Sequence, residues 1–116
     1  MSIRIKGKVI EGKGEGRLLG FPTANLALFE EPCLASGVYL AEVFLDEGDF
    51  LALAVIGLES RTEVWLKDFS GDLYGRILEA EIGEKISEVE NFTSITDLIK
   101  KINQDLELAK KIWQIN

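Results

Sequence analysis

The chain contains no histidine and a single cysteine, Cys33, among its 116 residues. Histidine is the commonest general base and a frequent metal ligand, so its absence excludes a Ser-His-Asp triad and argues against a zinc site. A lone cysteine cannot close an internal disulfide, which argues against a small disulfide-stapled scaffold. Any acid–base chemistry in this chain must therefore fall to a carboxylate.

The sequence also has little positive charge. It carries 13 Lys and Arg against 20 Asp and Glu, for a net charge of −7. Nucleic-acid binding usually needs a basic patch, so no nucleic-acid partner is expected. Because the chain shows no run of about 18 apolar residues and no signal peptide, we expect a cytoplasmic protein without a membrane partner. A polyphosphate ligand would need local cations, backbone amides and Mg²⁺ to overcome the acidic field.

The length indicates one domain spanning residues 1–116, and the 47% of hydrophobic residues is enough for one core. Short β-type runs separated by turn residues dominate the first two thirds. They predict a mainly β fold, a small closed barrel or a sandwich, with the barrel preferred because it hides its sheet edges. We expect a hairpin whose strands are joined by a four-residue loop at 46–49. The predicted strands cover residues 3–11, 38–45, 50–56, 61–67 and a run from Leu73 or Tyr74 to 82.

The C-terminal part of the chain has helical periodicity instead. Thr93 or Ser94 is the expected N-cap, and Ser94 with Asp97 forms a weak variant of the capping box. The charged residues, Asp105 among them, mostly occupy the opposite side from the apolar ones. The pattern predicts one amphipathic helix packed on the barrel. Its apolar face comprises Ile95, Leu98, Ile99, Ile102, Leu106, Ala109 and Trp113.

The most distinctive segment is residues 12–25, which read GKGEGRLLGFPTAN. A glycine-rich loop lets backbone N–H groups approach an anion closely, because glycine has no Cβ. The segment is not a P-loop, since no Lys-Ser or Lys-Thr pair follows the glycines. Two simpler interpretations stay open: the glycines shape a hairpin or bulge, and Pro-Thr-Ala-Asn forms an ordinary turn.

Four motifs in order resemble the riboflavin kinase family. They are the Gly-rich loop ending in PTAN, the SGVY of residues 36–39, the EVWL of 63–66 followed by DFSGDLYG at 68–75, and the NFTS of 91–94. The resemblance runs from about residue 7 to the end of the chain. It implies a six-stranded Greek-key β-barrel with a C-terminal helix, in agreement with the pattern of strands and helix above.

The resemblance also implies a function. Members of the family transfer the γ-phosphoryl group of ATP to the 5′-hydroxyl of riboflavin, which gives FMN, with Mg²⁺ as cofactor. Carried over to this chain, Glu63 is the catalytic base, and Thr23 and Asn25 hold Mg²⁺. The protein is expected to be a monomer with ATP and riboflavin as its small-molecule partners. The nucleotide-binding residues implied are Gly12, Gly14, Gly16, Arg17, Gly20 and Thr23.

The chain departs from the family pattern at several positions. Trp65 stands where the family usually has histidine, and Val55 stands where it has asparagine. The segment 56–62 is shorter than usual and lacks Pro-Thr-Phe, and Ile86-Ser87 replaces a Leu-Arg pair. No adenylyltransferase domain is expected. Two alternatives therefore stay open: a non-catalytic relative that binds flavin or nucleotide as a carrier or sensor, and a barrel that serves only as an interaction module.

Overall fold

The computed structural model describes residues 3–10, 23–57, 61–90 and 94–114. These residues form six β-strands followed by one α-helix. The elements are β1 (Ile3–Ile10), β2 (Thr23–Leu28), β3 (Gly37–Leu45), β4 (Gly48–Ile56), β5 (Thr62–Leu66), β6 (Ile77–Ser87) and α1 (Ile95–Trp113). No helix in the described part of the chain is both long enough and apolar enough to cross a membrane.

The six strands close into an antiparallel barrel in the order β1-β2-β5-β4-β3-β6. Strand β2 lies beside β5 instead of beside β3, the next strand along the chain, so β2 to β5 form a Greek key. The predicted six-stranded barrel with a C-terminal helix is thereby confirmed. Closure pairs both edges of every strand, which protects a sheet of this size from pairing with other chains.

Alternation along the strands directs one set of side chains into the barrel. In β2, Ala24 and Leu26 are buried, whereas Thr23 and Asn25 face outward and are half-buried. This period of two is the one that a half-buried strand requires. The barrel interior is packed by Ile5, Val9, Ala24, Leu26, Tyr39, Ala41, Val43, Ala52, Ala54, Ile56, Val64, Leu66, Phe69, Leu73, Leu78, Ala80 and Ile82.

Helix α1 packs against the outer face of the barrel and forms a second core there. Its buried residues Ile102, Leu106 and Ala109 belong to the predicted apolar face. They pack with Val38, Leu40, Leu53 and Trp65 of the strands. The helix therefore covers part of the outer surface of β3, β4 and β5.

The helix differs from the prediction at two points. Ser94 is the N-cap residue as expected, but its side chain makes no capping hydrogen bond. Asp105, placed on the charged side by sequence, is 4% exposed in the structure. Its burial is balanced by Lys101 and Ser87, which lie within hydrogen-bond distance.

The strand boundaries also needed correction. Residues 23–25, expected at the end of a loop, open strand β2 instead. The β3–β4 hairpin turns through two residues, because Leu45 pairs directly with Gly48. Gly48 has a φ of 142°, a conformation that glycine adopts without steric cost. Strand β6 begins at Ile77, later than predicted, because Asp72 accepts a 2.9 Å hydrogen bond from the Tyr74 N–H in a turn that precedes it.

Candidate active site

The ladder between β2 and β5 brings three predicted site residues together. Asn25 lies directly opposite Glu63, and Thr23 lies opposite Trp65. Directly opposed residues of an antiparallel pair have Cβ atoms about 4.5–5.5 Å apart. The side chains of Asn25 and Glu63 are therefore neighbours, although the two residues are far apart in the sequence.

These side chains share the outer face of the barrel. Ala24 and Val64, which separate the site residues along each strand, point into the barrel core. Thr23, Asn25 and Glu63 are half-buried, so solvent or a ligand can reach them. The patch thus combines a hydroxyl, an amide and a carboxylate on a rigid sheet, which is a good support for a precise site.

Trp65 is the next outward-facing residue of β5 after Glu63. Its indole Nε1–H donates a hydrogen bond to Oε1 of Glu63 at 2.5 Å. The side chain is only 7% exposed, because it belongs to the core between the barrel and α1. One face of the site is therefore attached to the helix through this tryptophan.

On the other side of Glu63, strand β4 places Val55 as the directly opposed residue. Val55 in turn pairs with Val38 of β3, and Val38 pairs with Ser87 of β6. This row of cross-strand neighbours connects the Glu63 carboxylate to a polar cluster at the end of β6. The position expected to carry the family asparagine thus presents an apolar side chain to Glu63.

The polar cluster at the end of β6 was not found by sequence reasoning. Lys101 Nζ lies 2.7 Å from Asp105 Oδ2, and the side chains are 13% and 6% exposed. Ser87 Oγ donates to Asp105 Oδ1 at 2.7 Å. The i, i+4 spacing of Lys101 and Asp105 indicates an ion pair on a helix, but such pairs are usual on a solvated helix face and do not indicate burial. The cluster connects α1 to β6 by hydrogen bonds to Ser87, the position at which the family carries arginine.

The remaining predicted nucleotide-binding residues lie outside the described part of the chain: Gly12, Gly14, Gly16, Arg17 and Gly20. The residues that flank this segment are described. Ile10, the last residue of β1, is the cross-strand partner of Asn25, and Thr23 begins β2. The two described flanking residues, Ile10 and Thr23, therefore lie beside the Asn25–Glu63 pair.

The Thr23 hydroxyl and the Asn25 amide oxygen are hard oxygen donors, the ligand type that Mg²⁺ accepts. Among the described residues, no group of three or more His, Cys, Asp or Glu side chains could hold a metal ion. A caged transition-metal site is therefore not found in that part of the chain. A hydroxyl and an amide oxygen fit a hard ion that keeps several waters and binds through the nucleotide.

Two sets of surface ion pairs outside this patch shift the pKa of their groups. Arg76 makes a two-pronged contact with Glu47, with 2.7 Å and 2.8 Å between guanidinium nitrogens and carboxylate oxygens. This hydrogen bonding lowers the pKa of Glu47 to about 2. Between β1 and β6, the hydrogen bond from Arg4 to Glu79 raises the pKa of Arg4. These contacts are structural ion pairs on the surface.

Solved structures share this barrel. Riboflavin kinase from Trypanosoma brucei aligns with a TM-score of 0.67 over 97% of this chain and 80% of that one, at 24% identity, which supports the fold alone. The crystal structure named Macrolide-efflux Protein from Streptococcus pneumoniae aligns with a TM-score of 0.79 at 30% identity. That alignment covers 92% of this chain and 38% of the other. The fold class is thus a flavokinase-type barrel.

The chain belongs to the riboflavin kinase family, because the family model described as Flavokinase: Riboflavin kinase matches residues 1–113. It is 40% identical over 118 residues to the bifunctional riboflavin kinase/FMN adenylyltransferase of Haemophilus influenzae. That match covers 95% of this chain but only 38% of the relative's length. The chain therefore spans less than half of the length of this relative.

Proposed function

We propose that this domain transfers the γ-phosphoryl group of ATP to the 5′-hydroxyl of riboflavin, giving FMN and ADP in a Mg²⁺-dependent reaction. The observation that carries the proposal is the register of β2 and β5, which sets Asn25 opposite Glu63. A base and a candidate metal ligand are thereby adjacent on one outer face. Phosphoryl transfer needs little beyond such positioning and charge neutralisation.

Thr23 and Asn25 would hold the magnesium ion through the hydroxyl and the side-chain carbonyl. When bound, the ion supplies positive charge that offsets the charge of the β- and γ-phosphates. The two residues lie two positions apart on one strand, so their side chains point the same way. Their separation is fixed by the sheet, which holds the ligands in place without a carboxylate cage.

Glu63 would accept the proton of the riboflavin 5′-hydroxyl. As that oxygen forms its bond to the γ-phosphorus, the bond from phosphorus to the ADP oxygen breaks, and the proton passes to the carboxylate. The half-buried position of Glu63 leaves it accessible to the hydroxyl. The Trp65 indole donates a hydrogen bond to one oxygen of this carboxylate.

Gly12, Gly14, Gly16, Arg17 and Gly20 would contact the nucleotide phosphates, with Arg17 supplying a local cation. Support comes from the described flanking residues Ile10 and Thr23, which lie beside Asn25 and Trp65 in the β-ladder. A chain with a net charge of −7 needs such local compensation to bind a polyanion. We further propose that the domain acts as a cytoplasmic monomer without nucleic-acid or membrane partners.

A second candidate function is binding of flavin or nucleotide without turnover, as in a carrier or sensor. The observation that favours it is Val55, an apolar residue directly opposite Glu63 at the position of the family asparagine. Ser87, at the position of the family arginine, is already engaged with Asp105. A binding module would retain ligand affinity while FMN formation is absent.

A turnover assay with riboflavin, ATP and Mg²⁺, with FMN measured by chromatography, distinguishes the two functions. CTP is run in parallel to test the choice of nucleotide. We expect FMN to form only with Mg²⁺ and to be lost in Glu63→Gln, which spares nucleotide binding because only proton acceptance is removed. Glu42→Gln is the matched control, since Glu42 is also a half-buried outward-facing strand glutamate. Tight flavin binding without FMN would establish the binding module.

A further inference from the structure

We propose that Trp65 is the positioning residue of this site: its indole N–H holds the Glu63 carboxylate in the orientation in which Glu63 accepts the substrate proton. The inference rests on the proposed function, because it takes Glu63 as the base. It assigns Trp65 a task beyond packing, although nine-tenths of its side chain is buried in a hydrophobic cluster. The contact that carries it is the hydrogen bond from Nε1 to Oε1.

The contact follows from the strand geometry. Residues two apart on a strand point to the same face, so Glu63 and Trp65 stand side by side on the outside of β5. A glutamate side chain has several rotatable bonds and would otherwise sample many orientations on a surface. A donor fixed beside one oxygen removes much of that freedom and leaves the carboxylate pre-aligned for proton transfer.

The indole can serve as a fixed donor because its own position is determined by packing. Leu53 of β4 lies directly opposite Trp65, and Ile102 and Leu106 of α1 belong to the same buried cluster. Buried aromatic side chains in such clusters occupy one rotamer. Packing against α1 therefore fixes the Trp65 indole, and the fixed indole in turn orients the Glu63 carboxylate.

Two substitutions distinguish the effect of the Trp65 N–H from the effect of its side-chain volume. Trp65→Phe keeps an aromatic ring in the cluster but has no N–H. Trp65→His keeps a five-membered ring whose N–H can stand where the indole N–H stands, and it loses the second ring of the indole. A packing role predicts that histidine is the worse substitution, whereas the positioning role predicts that phenylalanine is worse for turnover.

We expect Trp65→Phe to lower kcat about tenfold, the typical effect of losing one hydrogen bond to a charged group, and to leave both KM values within about twofold. Trp65→His, assayed near pH 8 where neutral imidazole carries one N–H, should keep kcat within about threefold of wild type while unfolding at a lower temperature. Ile102→Val is the control for packing: it loses volume in the same cluster without touching the donor.

A spectroscopic readout tests the contact independently of activity. The chain has two tryptophans, so its NMR spectrum contains two indole N–H signals, which Trp113→Phe assigns. In Glu63→Gln, the Trp65 signal should shift because the charged acceptor is gone, while the Trp113 signal stays. Glu42→Gln should move neither signal, since Glu42 lies on β3.

The outcomes distinguish the role of Glu63 as the base from the role of Trp65 in positioning it. Full turnover by Glu63→Gln would remove Glu63 as the base, and the positioning role would fall with the proposed function. If Glu63→Gln were inactive while Trp65→Phe turned over like wild type, only the positioning role would be wrong. An equal loss of kcat in folded Trp65→His and Trp65→Phe, or an unshifted Trp65 signal in Glu63→Gln, would also overturn it.

Discussion

Asn25 and Glu63 are direct cross-strand partners on the outer face of the barrel. This register makes a neutral oxygen ligand and a carboxylate neighbours, and it also brings in Ile10, which pairs with Asn25 from the other side. The described residues on either side of residues 11–22 are Ile10, which ends β1, and Thr23, which begins β2. The site is therefore assembled where β1, β2 and β5 run side by side.

The first prediction concerns the amide of Asn25. Asn25→Ala should weaken binding of the magnesium–nucleotide complex about tenfold, because a ligand or hydrogen-bonding oxygen is lost, and should change riboflavin affinity little. Isothermal titration with each ligand measures both effects. Asn103→Ala, at an exposed position of α1, is the matched control. Equal weakening of both ligands would point to a folding defect and contradict a specific role for Asn25.

The second prediction concerns a buried hydroxyl. Thr62 is 4% exposed, and within the described residues its Oγ1 has no hydrogen-bond partner. Thr62→Val keeps the shape of the side chain and removes the unsatisfied group, so it should stabilise the protein by about 1 kcal/mol. Urea unfolding with an unchanged m-value measures this gain.

Thr96→Val provides the comparison for that gain, because Thr96 is exposed on α1 and its hydroxyl can bond to water. The control should change the free energy of unfolding by less than about 0.5 kcal/mol. A destabilised Thr62→Val protein would mean that the hydroxyl has a partner in solution.

The third prediction concerns the buried ion pair of Lys101 and Asp105. Asp105→Ala leaves a mostly buried ammonium without its carboxylate and should cost about 3–5 kcal/mol of stability. Replacing both residues, as Lys101→Met with Asp105→Leu, should cost much less, since no charge stays uncompensated. Urea unfolding of Lys101→Met, Asp105→Leu and the double variant completes a mutant cycle, with Asp105→Ala measured beside it. Strictly additive effects would show that the two charges do not interact.

The fourth prediction concerns the pH dependence of the Arg76–Glu47 contact. The folded pKa of Glu47, about 2, lies below its ordinary value of 4.5, so the contact stabilises the fold above pH 4.5 and this stabilisation is lost as the pH falls towards 2. In Arg76→Gln, NMR titration should find the Glu47 pKa raised from about 2 towards its ordinary value, because the guanidinium hydrogen bond is the largest cause of the shift. Arg4→Gln, which removes an ion pair with Glu79 and Glu81, should leave it unchanged. A Glu47 pKa that stays at about 2 in Arg76→Gln would show that Arg76 does not cause the shift.

Much of the fold was readable from local patterns. The short apolar, β-type runs of residues 38–45 and 50–56 predicted β3 and β4, and the helical spacing of apolar residues predicted α1. Strand β2 was missed because its six residues follow a glycine-rich run and include Thr and Asn, which also favour turns. The hairpin loop was overestimated because Gly48 and Asp49 have turn composition but pair with β3.

The candidate site was only partly predictable. Glu63, Thr23 and Asn25 were identified by resemblance, and their roles stay predictions that the experiments above test. The hydrogen bond from Trp65 and the burial of Asp105 were not predicted, because each depends on a neighbour brought close by packing. Helical periodicity assigns a charged residue to the solvent side, and it contains no information about a lysine and a serine that compensate its charge.

The sequence by itself determined the class of chemistry and the kinds of secondary structure. Without histidine, acid–base chemistry falls to a carboxylate. The spacing of apolar residues is a local property, so it indicates strands and helices without knowledge of the fold. Only the tertiary structure decided that β2 lies beside β5, that Asn25 therefore opposes Glu63, and that Trp65 connects Glu63 to the helix. The physical reason is that strand pairing and core packing are non-local: they are fixed by closure of the whole barrel, which no short segment encodes.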